Sequence, residues 1–143
     1  MGEAVDFKTF DYDTHLGSVL ALWETSWPGV RISRSDSPER IRHKLERDPD
    51  LFLVVEQGGE VIGAVMGGYD GRRGMVYHLA VRSDARNQGV GKKLLEELET
   101  RLRRKGCVKY YLLVTRDNSQ TIAFYENLGV QIMDLYVMGK DLE

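Results

Sequence analysis

The chain is 143 residues long and carries 20 Lys and Arg against 22 Asp and Glu, a formal net charge of -2. That length suits one domain, 1–143, and the near balance of charge excludes a protein working mainly on nucleic acid, which needs a strong basic excess. No apolar run approaches the roughly 20 residues that cross a bilayer, Cys107 has no cysteine to pair with, and His15, His43 and His78 share no metal-ligand spacing, so the expectation is a cytoplasmic domain with no membrane and no metal.

Residues 4–10 read as a strand, with Val5, Phe7 and Phe10 set against polar neighbours. Asp13 or Thr14 is placed to cap a helix whose apolar face is Leu16, Val19, Leu20 and Trp23. The stretch WPGVRISRSDSP is a loop punctuated by Pro and Gly. Ser37-Pro38-Glu39 opens a second helix, with an N-cap, a proline at the first helical position and an acid in the first turn. Ile41 and Leu45 share its apolar face, and it stops before Pro49.

Residues 51–81 give three strands, joined by a tight hairpin at Gly58-Gly59 and a longer one from Tyr69 to Gly74. Gly67-Gly68 in the middle strand marks a bulge or leaves room for a ligand. A long helix then carries Leu94, Leu95, Leu98 and Leu102, with Glu97 and Arg101 paired at i, i+4, and ends at Gly106. VKYYLLVT reads as a fifth strand, Asn118 to Asn127 as a fourth helix closed by Gly129, and VQIMDLYVMGKDL as one or two terminal strands. The order βααβββαβαβ(β) predicts an α/β fold, one mixed sheet with helices on both faces.

Between the third of those strands and the long helix stands Arg86-Asn87-Gln88-Gly89-Val90-Gly91. A helix N-terminus has unpaired N–H groups and the positive end of a dipole, so it favours anions. Glycines there let a phosphate approach the backbone, and Arg86, Lys92 and Lys93 add charge at an end where basic residues are otherwise unfavourable. The stretch therefore reads as a pyrophosphate cradle, although it matches neither the Walker P-loop nor the dinucleotide fingerprint, in which Leu94 stands where the third glycine belongs. A tight turn that packs the helix onto the sheet is the other reading.

Leu79-Ala80-Val81, Arg86, Gly89 and Gly91 together resemble the acyl-coenzyme A motif of the GCN-five-related N-acetyltransferase superfamily. NSQTIAFYENLGV resembles its second motif at Asn118, Ala123, Tyr125, Glu126, Leu128 and Gly129, and GAVMGGYDGRRG looks like a subgroup of small microbial acetyltransferases of unassigned substrate. The resemblance implies a mostly antiparallel mixed sheet of six or seven strands, splayed between the fourth and fifth. It implies acetyl-coenzyme A as co-substrate, its pantetheine on the backbone of Leu79, Ala80 and Val81. The pyrophosphate would then rest on Asn87, Gln88, Gly89, Val90, Gly91 and Lys92, with Arg86 or Lys93 beside it and Asn118 reaching the pantetheine or fixing its own helix.

By the same resemblance, a backbone N–H near Leu79 stabilises the oxyanion and Tyr125 protonates the coenzyme A sulfur as general acid. The base is unassigned. Leu113 and Met75 stand where relatives carry a glutamate, His78 is the candidate, and Asp70, Glu24 and ordered water stay open. The acceptor is the primary amine of a small molecule or of a peptide or protein N-terminus, with Trp27, Arg31 and Tyr69 as candidate contacts and Arg31 or Arg34 suited to a carboxylate. A homodimer is compatible with the sequence. The alternative function is an acyl-coenzyme A-binding sensor without catalysis. The basic run RLRRKG reads as a solvated helix end rather than a nucleic-acid contact.

Overall fold

A computed structural model describes residues 4–26 and 30–143. Five strands form one sheet in the order β1-β2-β3-β4-β5: β1 (Val5–Thr9), β2 (Phe52–Gln57), β3 (Glu60–Tyr69), β4 (Gly74–Val81) and β5 (Tyr110–Leu112). The first four pair antiparallel, while β4 and β5 run parallel. A parallel pair needs a crossover, and here it is α3 (Val90–Arg104), reached through a short 3-10 turn at Ser83–Ala85. The other helices are α1 (Tyr12–Glu24), α2 (Pro38–Arg47) and α4 (Ser119–Asn127).

Strand periodicity sorts the core into two layers. Along β2, Leu53 and Val55 join the cluster under α3 and α4, which contains Leu94, Leu95, Leu98 and Tyr125. Their neighbours Phe52 and Val54 join the opposite cluster, which contains Val19, Trp23 and Ile41 of α1 and α2. A strand buried on both sides in this way belongs in the middle of a sheet. Among the described residues no helix is long and apolar enough to cross a membrane.

The caps confirm the helix starts with one shift. Ser37 caps α2 by accepting from the Arg40 N–H at 3.3 Å, with Pro38 in the first turn. In α1 the cap is Asp11, whose carboxylate accepts from the Thr14 N–H at 2.9 Å, so Asp13 and Thr14 lie inside the helix.

Three expectations change. Gly67 and Gly68 pair in register with Val76 and Met75, and the bulge in β3–β4 lies further along, between Ala64 and Met66. A Cβ on Gly67 would lie 2.7 Å from Leu98 Cδ1, so this glycine admits α3 close to the sheet. The fifth strand is three residues long rather than eight, and Val108 and Leu113 stand exposed on either side.

The sheet therefore has five strands, not six or seven, because VQIMDLYVMGKDL forms none. Strand propensity is largely a preference for a pleated, half-buried setting, and this segment lacks one: Tyr136 and Met138 are each 90% exposed. Asp134 and Gly139-Lys140-Asp141 interrupt its apolar run. At the chain end Asp141 pairs with Arg34 at 3.3 Å and Glu143 with Arg40 at 2.8 Å, all four side chains largely exposed.

Candidate active site at the parting of two strands

The pairing of β4 with β5 covers Gly74, Met75 and Val76 and then stops, while β4 runs on to Val81. The two strands thus part, and the last residues of β4 present an open edge. Which backbone groups face it follows from the register. The Arg82 N–H donates to the Ile62 carbonyl at 2.7 Å, and Ala80 faces Ala64, so residues 80 and 82 turn toward β3. By the period of two, Leu79 and Val81 turn their N–H and C=O groups to the open edge.

The chain then enters α3 through residues of left-handed backbone, Asn87 (φ 65°) and Gly89 (φ 78°). Gly89 is the N-cap of α3 and supplies no side-chain bond, so the first-turn amides of the helix lack a capping acceptor. Such an arrangement is an anion-binding concavity. The two glycines have different reasons to be there. A Cβ at Gly89 would meet nothing within 4 Å but would be strained at that φ; at Gly91 it would come 3.3 Å from Phe124 and 3.5 Å from Val81. Gly91 therefore lets α3, α4 and β4 pack closely together. Val90 is buried in the core beneath, and Gln88 reaches back to the Asp84 carbonyl. Arg86 donates from Nε to the Val81 carbonyl at 3.1 Å, and Lys92 lies 4.0 Å from Glu96 with both side chains largely exposed.

Asn118 is the N-cap of α4, its Oδ1 accepting from the Thr121 N–H at 3.2 Å, which makes it a fixing residue for that helix. Tyr125 sits on α4 in the core layer of α3, edge-on to Phe124. Burial pushes its phenol up to about 12, so the hydroxyl stays protonated through neutral pH. Val130 donates its N–H to the Tyr125 carbonyl and packs against the same core layer.

On the other face of the sheet, His78 occupies the β4 bulge with φ 48°, a left-handed conformation that costs a non-glycine residue roughly 1–3 kcal/mol. Its Nε2 lies 2.9 Å from Asp36 Oδ2, and its ring meets Trp23 edge-on at 4.8 Å. Burial pushes the Asp36 carboxyl up, but hydrogen bonds from His78 and Ser33 outweigh it and hold the group below its ordinary value. Sequence reasoning missed Asp36, although Ser33-x-x-Asp36 has the spacing of a capping box and forms one around the 3-10 turn at Arg34–Asp36. That pattern marks residues 33–36 as an ordered turn within the loop.

The remaining candidates scatter. Arg31 is exposed on the approach to that turn, and Trp27 lies outside the described residues. Tyr69 pairs with Gly74, at the end of β4 away from Val81, and packs into the α3 layer; it is not brought to the open edge. Asp70 accepts from the Arg72 and Arg73 N–H groups and is held low by them, a hairpin role. A concavity of about 450 Å³ is lined by Glu126 and residues 129–132, apart from these groups.

An open strand edge that leads into an uncapped helix start suits a long ligand with amides along its length and phosphates at one end. This is the build of acyl-coenzyme A. The acetyltransferase (GNAT) family model matches residues 17–130. An acetyltransferase of Pectobacterium atrosepticum is 42% identical over 136 residues, 95% of this chain and 92% of the relative, and one of Yersinia enterocolitica is 43% identical over the same shares. Ard1 from Thermoplasma volcanium shares the fold with a TM-score of 0.79 at 24% identity, covering 91% of this chain and 84% of that one. PaiA N-acetyltransferase from Thermoplasma acidophilum, solved with coenzyme A, superposes with a TM-score of 0.76 at 20% identity over 93% of each chain. The chain belongs to the GNAT family, and its co-substrate is acetyl-coenzyme A.

Proposed function

We propose that the protein transfers an acetyl group from acetyl-coenzyme A to the primary amine of a small molecule or of a peptide or protein N-terminus, by direct attack with both substrates bound. The observation that carries this reading is the continuity of two features: Leu79 and Val81 face the open edge directly before the uncapped start of α3. Acetyl-coenzyme A supplies a thioester carbon that an amine can attack.

The chain's own residues do the rest. Arg86, Lys92, Lys93 and the amides from Asn87 to Lys92 hold the phosphates, and the backbone of Leu79 to Val81 holds the pantetheine. The Leu79 N–H stabilises negative charge on the carbonyl oxygen. Tyr125, a phenol that burial raises to about 12, gives its proton to the departing sulfur. Arg31, exposed on the segment before the 3-10 turn, meets a carboxylate of the acceptor.

Thermal unfolding with acetyl-coenzyme A, and with ATP as control, tests the cradle. A ligand at one hundred times its Kd stabilises the fold by about 2.7 kcal/mol. A shift with acetyl-coenzyme A alone, followed by thiol release on adding amines, is the expected result. No shift at millimolar acetyl-coenzyme A overturns the reading, and a shift without thiol release from any amine points to the silent sensor.

A further inference from the structure

The steps above leave open what takes the proton from the acceptor, which reaches the protein as an ammonium ion. On the sheet face opposite Tyr125, Asp36 and His78 form a pair with side chains 6% and 18% exposed. A carboxylate only accepts hydrogen bonds, so Asp36 keeps the imidazole proton on Nε2 and leaves the lone pair on Nδ1. Among the described residues Nδ1 has no hydrogen-bond partner. Asp36 is itself fixed, its Oδ2 accepting from the Ser33 N–H at 2.9 Å, and Trp23 holds the ring from α1.

The backbone points the same way. Among the described residues His78 is one of two non-glycine residues with positive φ, and the other, Asn87, lies in the cradle. The strain at His78 falls in the bulge immediately before Leu79, whose N–H faces the open edge. Strain that the surrounding fold maintains at such a place is a mark of function. The charged groups of α2 that reach this face, Lys44 and Asp48, pair with each other at 2.7 Å beside Gly68 and Tyr77, and Glu24 at the end of α1 is exposed.

We propose that His78, oriented by Asp36, accepts the proton of the incoming amine, with Asp36 as its positioning residue. This rests on the acetyl-transfer reading. The acceptor ammonium gives one proton to His78 Nδ1, which passes it to solvent, and Asp36 offsets the charge of the imidazolium. The neutral nitrogen then forms the C–N bond, the C–S bond breaks, and sulfur takes the Tyr125 proton. The nitrogen loses its second proton, which restores that of Tyr125 through solvent.

Bromoacetyl-coenzyme A tests the placement without any acceptor, because it puts an alkylating carbon where the acetyl group lies. Attack by Nδ1 forms a C–N bond, expels bromide and leaves a stable adduct. A Cys107→Ser background removes the competing thiol. The expected result is one adduct mapped to His78, forming about tenfold more slowly in Asp36→Asn. His78→Gln keeps the thermal shift with acetyl-coenzyme A and gains no adduct at that site. A protein that shows the shift but is unmodified at His78, or an Asp36→Asn variant that reacts as fast as its parent, overturns the dyad alone. Absence of the shift in the parent overturns the acetyl-transfer reading beneath it.

Discussion

Arg86 Nε donates to the carbonyl oxygen of Val81 at 3.1 Å, closing the loop between the open edge of β4 and the start of α3. One side chain thereby links the strand proposed to hold the pantetheine with the helix start proposed to hold the phosphates. Arg86→Ala removes a charged hydrogen bond and a cation together; a bond of this kind contributes about 1.5–3 kcal/mol. The expected outcome is a Kd for acetyl-coenzyme A raised about tenfold or more. Calorimetric titration at low and high salt checks it, since the charge part of the loss shrinks as salt rises. Equal affinity in the variant would detach Arg86 from the cradle.

Tyr125 gives a sharper test, because its proton must be present for it to act. Burial pushes the phenol up to about 12. An acid works below its own value, so Tyr125 contributes no fall in kcat up to about pH 10. Tyr125→Phe lowers kcat roughly a hundredfold, the usual scale of a positioned acid, and leaves acetyl-coenzyme A binding unchanged. Rapid-mixing and steady-state assays of thiol release read both quantities, and an unchanged kcat would remove the acid role.

The join at residues 79–91 is legible in sequence because its chemistry is carried by backbone groups and glycines, whose placement follows from strand period and helix start. Asp36 is not legible as a partner of His78, since their meeting depends on where a loop lies across the sheet. The terminal segment misleads for the opposite reason. Ile132, Leu135, Val137 and Leu142 have strand-like composition, yet composition cannot supply a neighbouring edge to pair with, and all four are exposed. Gly67 is visible as a glycine, but its cause is Leu98, on a different element.

That cause yields a stability prediction. A Cβ at position 67 would stand 2.7 Å from Leu98 Cδ1 and 3.3 Å from the Leu51 carbonyl oxygen, so the leucine must move while the backbone cannot. Gly67→Ala is expected to destabilise the fold by about 1–3 kcal/mol, the usual scale of overpacking. Leu98→Ala alone leaves a cavity, costing about 2–5 kcal/mol. If the clash is with Leu98, the double variant loses less than the sum of the two. Urea unfolding of all three proteins measures that coupling, and strict additivity would assign the glycine another reason.

Asp36 links the acceptor-side turn to the sheet, and its depressed value sets the direction of a pH effect. A carboxyl held below its unfolded value of 3.8 contributes stability that is complete above that value and is lost as pH falls through the folded one. Asp36→Asn keeps the shape but lacks the charge. The variant is expected to be less stable than the parent by about 1.5–3 kcal/mol at pH 7, the range for a charged hydrogen bond. The gap should close as pH drops below about 4, because the parent then loses the same charge by protonation. Chemical unfolding at pH 7, 5 and 3 gives the three gaps. A gap that stayed constant across that range would mean Asp36 holds the turn by shape and hydrogen bonds alone, with no contribution from its charge.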